Sequence, residues 1–533
     1  MIFENKIWMG KSGEEKVLLY PQMANRHGLI AGATGTGKTV TLKVMAESFS
    51  KMGVPVFISD VKGDVAGIAA PGTDNENMQK RIKNFGLENF TYEGSPVYFW
   101  DIYGKLGLPV RTTISEMGPM LLARILDLNE TQEGILYIVF RIADDNGWLL
   151  LDIKDLRSML QYVTDNSSKY TIKYGNINKQ SVGAISRALL TLEDSGGNLF
   201  FGEPSLDIHD WISQDTNGRG IVNILDATKL VNNPRLYSTF LLWMLTDLYE
   251  RLPEVGDLAK PKIMFFFDEA HLLFKGISTS LLEKVELVVK LIRSKGVGVF
   301  FITQNPADIP DSVLAQLGNK VQHALRAYTP SEMKAVKVAA NSFRPNPEFS
   351  TEKIISEMGI GEALVSFLDE KGKPTIVKRT AILPPQCNMG VLDDYQRKDI
   401  IFKNPLGSKY TETIDRESAY EILIKQYADA DAQKEAEKEK KEREKVEKET
   451  EKERLAAEKL AEKERKAAEK EAEKEKKERE KEETRIAREK AKNKSPFEKM
   501  ANSAARTATT TITRSIANKI SRGLLDMLLG GKK

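Results

Sequence analysis

The sequence predicts an α/β fold with a mainly parallel sheet covered by helices on both faces. Three features of the chain predict it: short apolar runs that are continuous rather than alternating, helical periodicity between the runs, and a glycine-rich turn joining the first run to the first helix. A strand buried on both faces meets apolar neighbours above and below, so both of its side-chain positions are apolar.

The strand-like runs are 27–31 (HGLIA), 54–60 (VPVFISD), 220–226 (GIVNILD), 262–270 (KIMFFFDEA) and 297–303 (VGVFFIT). Helical spacing follows from Thr39 to Met52, from Leu236 to Arg251 and from Leu281 to Lys295. Between about 110 and 215 the strand signal lapses, and apolar spacing turns helical over Met120 to Leu128, Ile135 to Ala143, Leu156 to Val163 and Val182 to Leu192. This stretch reads as a helical insertion that packs on the sheet for most of its length, with a surface for substrate or neighbouring subunits as the sharper alternative.

At 533 residues the chain is long enough for one large domain with appendages. Its 79 basic and 76 acidic residues leave a formal charge of +3, so whole-chain electrostatics announce no nucleic-acid binder and any basic surface is local. A single cysteine, Cys387, excludes a disulfide framework and a zinc ribbon, and fits a reducing compartment. MIFENKIWMGKSGEEK has no apolar signal core, and no run of about eighteen apolar residues occurs, so a cytoplasmic chain with no integral membrane segment is expected.

Gly32-Ala33-Thr34-Gly35-Thr36-Gly37-Lys38-Thr39 matches G-x-x-x-x-G-K-[ST], with a strand before it and a helix after it. The glycines allow a tight turn that brings backbone N–H groups towards phosphates, and the helix aims its positive N-terminal end at them. Lys38 is expected to reach the β and γ phosphates of ATP, and the Thr39 hydroxyl to hold Mg²⁺.

The apolar residues Met264 to Phe267 run directly into Asp268 and Glu269, placing two carboxylates where a central strand ends. Asp268 is expected to act on Mg²⁺ and Glu269 to orient the attacking water; such a pair is otherwise a helix N-cap. The letters DEAH at 268–271 invite a superfamily 2 helicase assignment, which requires a second RecA-like domain that the strand pattern does not supply; His271 is read as incidental. VFFITQNP repeats the logic with Gln304, whose amide can hydrogen-bond the attacking water or γ-phosphate, or simply belong to a polar loop.

GLIAGATGTGKTVTL, FISDVKGDVAG, FFFDEAHLLF, IRSKGVGVFFITQNPADIP and LGNKVQHALRAYTPSEMKAVK together resemble the HerA-like branch of the HerA/FtsK ATPases, specifically the bacterial family with a HerA-like helicase C-terminal domain. The similarity spans about residues 1–400. It implies a RecA-like P-loop core of the additional-strand-catalytic-glutamate class, a homohexameric ring that moves double-stranded DNA, and an arginine supplied to the neighbouring subunit's ATP site. Arg293 fits the place of that arginine between Glu269 and Gln304, and such a residue stabilises charge on the transferring phosphoryl group. Arg326, on the strand-like QHALRAY, is a second candidate for nucleotide or interface sensing. Without the family, either arginine reads as a solvated surface charge. Asp60 either helps order the site or holds a structural turn with Gly63 and Asp64. The chain departs from archaeal HerA before Gly32, where residues 1–25 are too few for a full β-barrel, although IWMGKSGEEKVLLYP suits a hairpin.

The composition shifts near residue 428, so residues 26–428 are expected to form the ATPase domain. From Asp429 to Lys494 the chain carries 23 acidic and 24 basic residues, with Glu437–Lys441, Glu444–Lys448, Glu462–Lys466 and Glu473–Lys477 at i, i+4. Val446, Leu455, Leu460 and Ile486 are too sparse for a sustained coiled-coil seam, so a solvated single helix is expected, with disorder as the alternative. In the segment 495–533, Ile512, Ile516, Ile520, Leu524 and Leu528 recur every four residues beside Arg506, Arg514, Lys519 and Arg522. That pattern predicts a basic amphipathic helix that packs or oligomerises, with a protein partner, membrane surface or DNA as other contacts.

Overall fold

The computed structural model describes residues 1–275 and 279–489. Among these, thirteen strands form one sheet. They are β1 (Ile2–Phe3), β2 (Lys6–Ser12), β3 (Glu15–Leu19), β4 (Gly28–Ala31), β5 (Val56–Asp60), β6 (Val97–Asp101), β7 (Leu108–Pro109), β8 (Val222–Asp226), β9 (Ile263–Phe267), β10 (Val297–Thr303), β11 (Asn319–Gln322), β12 (Glu362–Ser366) and β13 (Lys378–Ile382). Their spatial order is β1-β2-β13-β12-β11-β4-β10-β9-β5-β8-β6-β7, with β3 paired to β2. From β11 to β7 every neighbouring pair is parallel. From β11 outwards through β12 and β13 to β2 the pairing is antiparallel.

The strand order decides what meets what. β10 lies between β4, which leads into the glycine-rich turn, and β9, which leads into Asp268. Alternate residues of the central strands feed two separate cores. Phe265 and Phe267 of β9 join Val299 and Phe301 of β10 on one face, where the helices Pro234–Arg251 and Thr279–Leu291 also pack. Met264 and Phe266 join Phe300 and Ile302 on the other, beneath the helix Lys38–Lys51. This two-sided burial explains the unbroken apolar runs, and each phenylalanine so buried contributes about 1.5–3 kcal/mol.

Between β7 and β8 the chain runs through helices, among them Ile114–Ile125, Glu130–Asn146, Ile153–Asp165 and Lys179–Asp194. Their buried residues, such as Ile135, Leu156 and Ile185, are continuous with the core under Phe265. The first of these helices breaks at Gly118 (φ 72°), ahead of Pro119. At the N-terminus β2 and β3 form an antiparallel hairpin whose first strand also pairs with β13, so it extends the main sheet. A smaller core of Val336, Ile355 and Leu364 lies between β12 and the helices Pro330–Asn341 and Thr351–Glu357.

The chain divides into two compact units, Met1–Asp429 and Ala430–Lys533. The described part of the second unit belongs to the helix Ala419–Glu489. That helix begins before the change of composition because Ser418 caps it: the Ser418 N–H donates to Glu421 Oε2 at 2.9 Å. Three of the anticipated ion pairs form, Glu437–Lys441, Glu462–Lys466 and Glu473–Lys477, at 2.7, 2.7 and 3.0 Å. Val446, Leu455 and Leu460 are exposed. No described helix is long and apolar enough to cross a membrane. The amphipathic segment expected at 495–533 lies outside the described residues.

Candidate functional site

Strand register brings the candidate residues together. Thr303 is level with Ala31, and Phe301 and Ser59 are both level with Phe267. The segments that follow β4, β10, β9 and β5 therefore leave the sheet along one edge, and they carry Gly32 to Thr39, Gln304, Asp268 with Glu269, and Lys62 with Asp64.

The glycine-rich turn is shaped by backbone requirements. Gly32, Gly35 and Gly37 have φ of 152°, 76° and 117°. A Cβ at Gly32 would also stand 2.5 Å from His323 Cβ. The Ala33 N–H donates to the Ala324 carbonyl at 2.8 Å, and Thr36 Oγ1 donates to the Ala33 carbonyl at 2.7 Å. Lys38 turns its ammonium back over the loop, donating to the Gly32 and Ala33 carbonyls at 2.6 and 3.0 Å. Burial, and then the charge of Lys62, hold the Lys38 pKa below its ordinary value. Gly37 caps the helix Lys38–Lys51 without a side-chain acceptor, so the first N–H groups of that helix remain donors for an anion.

Opposite the loop, Asp268 and Glu269 leave β9. The Asp268 N–H donates to Ser59 Oγ at 3.1 Å, and the buried Tyr237 hydroxyl lies 2.9 Å from Ser59 Oγ and 3.1 Å from the Asp268 carbonyl. Glu269 has φ 49°, a left-handed conformation that costs a non-glycine residue about 1–2 kcal/mol. Its Oε1 accepts from Lys62 Nζ at 2.9 Å and from Gln304 Nε2 at 3.0 Å. Gln304 Oε1 in turn accepts a long hydrogen bond from Thr34 Oγ1 at 3.4 Å, closing a chain from the phosphate loop to the carboxylate. Burial drives the Glu269 pKa up, but His271, Lys62 and Gln304 outweigh it, and the carboxyl titrates well below the usual range. Asp268 goes the other way: burial, opposed by Lys62 and reinforced by Glu269, raises its pKa.

A divalent cation fits this edge. Thr39 Oγ1 donates to Asp64 Oδ2 at 3.2 Å, while Asp64 Oδ1 is buried with no hydrogen-bond partner. At the same sheet edge, the ionised form of the Asp268 carboxyl is disfavoured by burial. Hard oxygen donors of this kind suit Mg²⁺. Among the described residues no cluster of three or more acidic, histidine or cysteine side chains is arranged to hold a metal alone. Phosphate oxygens and water would therefore complete the set.

The remaining candidates separate. Arg293 is exposed in the turn Ile292–Lys295 that precedes β10, at the opposite end of that strand from Gln304. Its guanidinium makes no hydrogen bond or ion pair among the described residues. Arg326 lies beyond β11, which ends at Gln322, and so is not on a strand; it donates to the Ser356 and Met358 carbonyls at 2.7 and 3.1 Å and caps the helix Thr351–Glu357. Asp60 holds a turn, accepting from the Gly63, Val65 and Ala66 N–H groups at 2.7, 3.2 and 3.3 Å. His271 is not remote from the site: its Nδ1 stands 3.3 Å from Glu269 Oε2, although neither atom makes a well-aligned hydrogen bond.

Sequence reasoning missed Lys62, Asp64 as a donor, Tyr237 and His323. The lysine and aspartate were visible in FISDVKGDVAG as the polar residues that follow an apolar strand, the same signal that marked Asp268. His323 is buried, with Nε2 2.8 Å from Thr41 Oγ1 and Nδ1 2.9 Å from the Glu362 carbonyl. Beside Gly37 a cavity of about 440 Å³ opens, lined by Val40, Met78, Ile360, Pro384, Pro385 and Met389 among others. A second cavity, of about 310 Å³, lies near Gly118, Leu242 and Asp247 and shares no lining residue with the phosphate loop.

A family model described as Helicase HerA-like C-terminal matches residues 5–533. The DNA double-strand break repair helicase HerA of Sulfolobus acidocaldarius is 23% identical over 379 residues, covering 69% of this chain and 67% of that protein. Among solved structures, VirB4 of Thermoanaerobacter pseudethanolicus is 16% identical with a TM-score of 0.46, covering 72% of this chain and 97% of that one. The plasmid coupling protein TrwB in complex with ADP and Mg²⁺ is 14% identical with a TM-score of 0.44, covering 70% and 89%.

Proposed function

The chain belongs to the helicase HerA-like C-terminal family, and on that premise we propose that it is an ATP-hydrolysing motor of the HerA/FtsK type that acts as a homohexameric ring on double-stranded DNA. The reading assigns residues 26–428 to a RecA-like core of the additional-strand-catalytic-glutamate class with a helical insertion. The charged helix and the C-terminal segment are then available to a protein partner.

The observation that carries the reading is the hydrogen bond between Gln304 and Glu269, each at the end of its own strand, within reach of the phosphate loop through Thr34. Lys38 and the N–H groups opening the helix Lys38–Lys51 bind the phosphates of ATP, and the cavity beside Gly37 receives the nucleoside. Thr39, Asp64 and Asp268 hold Mg²⁺, which when bound neutralises charge on the phosphates. Glu269, kept ionised, accepts a hydrogen bond from the attacking water and orients it; Gln304 fixes the carboxylate and registers the terminal phosphate. Arg293 lies at the end of β10 far from its own phosphate loop, which suits an arginine given to the neighbouring subunit's site. Arg326 senses the subunit interface through the helix it caps.

ATP turnover with and without duplex DNA tests this reading in the wild type, Lys38→Ala and Glu269→Gln. Stimulation by DNA in the wild type and loss of turnover in both variants is expected. Turnover indifferent to DNA would instead indicate an ATP switch acting on a protein partner.

A further inference from the structure

In this structure Glu269 has no acceptor that is both unfilled and accessible to an attacking water. Both lone pairs of Oε1 are taken, by Lys62 Nζ at 2.9 Å and Gln304 Nε2 at 3.0 Å. Oε2 has no hydrogen-bond partner but is buried, 3.3 Å from His271 Nδ1, and so is closed to water. For Glu269 to orient water, one donor to Oε1 must leave. Gln304 is tied to the phosphate loop through Thr34, whereas Lys62 has a side chain 38% exposed on a flexible four-carbon stem.

The mount of that stem is fixed. Asp60 accepts three backbone N–H bonds, from Gly63, Val65 and Ala66, and holds the turn that presents Lys62. Motion is thus confined to the lysine side chain. The charge of Lys62 is also felt by Lys38, so the turn after β5 and the start of the helix Lys38–Lys51 bring two ammonium groups to the same edge of the sheet. Such a pair is repulsive by itself and becomes favourable around a polyanion.

We propose that Lys62 senses the γ-phosphate: it holds Glu269 while the site lacks a triphosphate, then moves to the terminal phosphate of ATP and releases Oε1 to orient water. The inference rests on the reading of Glu269 as the water-orienting residue. In the released state the water oxygen bonds to the γ-phosphorus as the bond from that phosphorus to the β–γ bridging oxygen breaks. ADP leaves with the electron pair of that bond, and the proton of the water passes by way of Glu269 to the phosphate product. Once phosphate departs, Lys62 returns to Glu269 and closes the site to water.

The test is binding of fluorescent ADP and of a non-hydrolysable β,γ-imido ATP analogue to the full chain, in the wild type, Lys62→Met and Lys62→Arg. Lys62→Met should bind ADP within about two-fold of wild type yet lose preference for the triphosphate by on the order of ten-fold, the effect of one charge-assisted hydrogen bond. Lys62→Arg keeps the charge and should retain most of the preference, which guards against a mere folding defect. Glu269→Gln removes the charge that holds Lys62, weakening the contact, and should tighten the analogue, a gain that should vanish in the Lys62→Met, Glu269→Gln double variant. A wild-type triphosphate preference in Lys62→Met, or tightening that persists without Lys62, overturns the proposal. These ratios need neither turnover nor DNA, so an inactive motor and a mistaken role for Lys62 are told apart.

Discussion

Gln304 Nε2 donates to Glu269 Oε1 across 3.0 Å, so the side chain that ends β10 fixes the one that ends β9. The contact exists because β10 lies directly beside β9, with Phe301 level with Phe267. Removing the amide should leave nucleotide bound but the water poorly oriented. Gln304→Ala is expected to keep ADP affinity and lower kcat by about 10²-fold, and Glu269→Gln by about 10²- to 10⁴-fold. Steady-state turnover paired with fluorescent ADP titration checks both, and a change in KM with kcat intact would contradict them.

Asp64 offers a buried oxygen without a partner next to the Thr39 hydroxyl. If that oxygen serves Mg²⁺, directly or through water, Asp64→Asn should raise the Mg²⁺ concentration needed for half-maximal turnover by about ten-fold or more. The measurement is a Mg²⁺ titration at saturating ATP. An unshifted midpoint would leave Asp64 as no more than a partner for Thr39.

Arg293 and Gln304 stand at opposite ends of β10. One subunit therefore cannot readily bring Arg293 to its own phosphate loop. Arg293→Ala is expected to bind ATP normally and to lose most turnover. Mixing it with Glu269→Gln should recover activity above the sum of the two, because some interfaces then pair an intact Glu269 with an intact Arg293. Simple additivity would point to action within one subunit or to a surface charge.

His323 braces the phosphate loop as a buried neutral imidazole, and burial lowers its pKa from 6.5 to about 4. Unfolded, the group takes up its proton near 6.5. Between these values the unfolded state binds more protons, so stability is present above 6.5 and is lost as pH falls through 4. The loss from this group amounts to about 3 kcal/mol. His323→Gln should be less stable than wild type at pH 7.5, with the gap narrowing by about that amount towards pH 4. Denaturant unfolding of both proteins across this range checks it, and a gap independent of pH would contradict a neutral buried histidine.

The central strands were legible because burial on both faces leaves unbroken apolar runs; the run 297–303 coincides with β10. The outer strands were less so. β13 reads KRTAI and has one solvated face, so its pattern alternates and resembles many polar segments. The phosphate loop was legible from local spacing alone. Lys62 and Tyr237 were not, because their meaning depends on register between strands and on a helix far away in sequence: Tyr237 reaches Ser59 across 178 positions. Arg326 misled because QHALRAY continues the apolar character of β11 after the strand has ended at Gln322. His271 was set aside on motif grounds, yet its Nδ1 stands 3.3 Å from Glu269 Oε2, a proximity that the letters DEAH do not reveal.

The most direct test of a motor on duplex DNA is displacement of a third strand from a DNA triplex. Wild-type protein with ATP should strip the triplex-forming strand from a flanking duplex, and Lys38→Ala, or wild type with a non-hydrolysable analogue, should not. ATP hydrolysis that proceeds at the same rate with and without duplex and leaves the triplex intact would contradict the account.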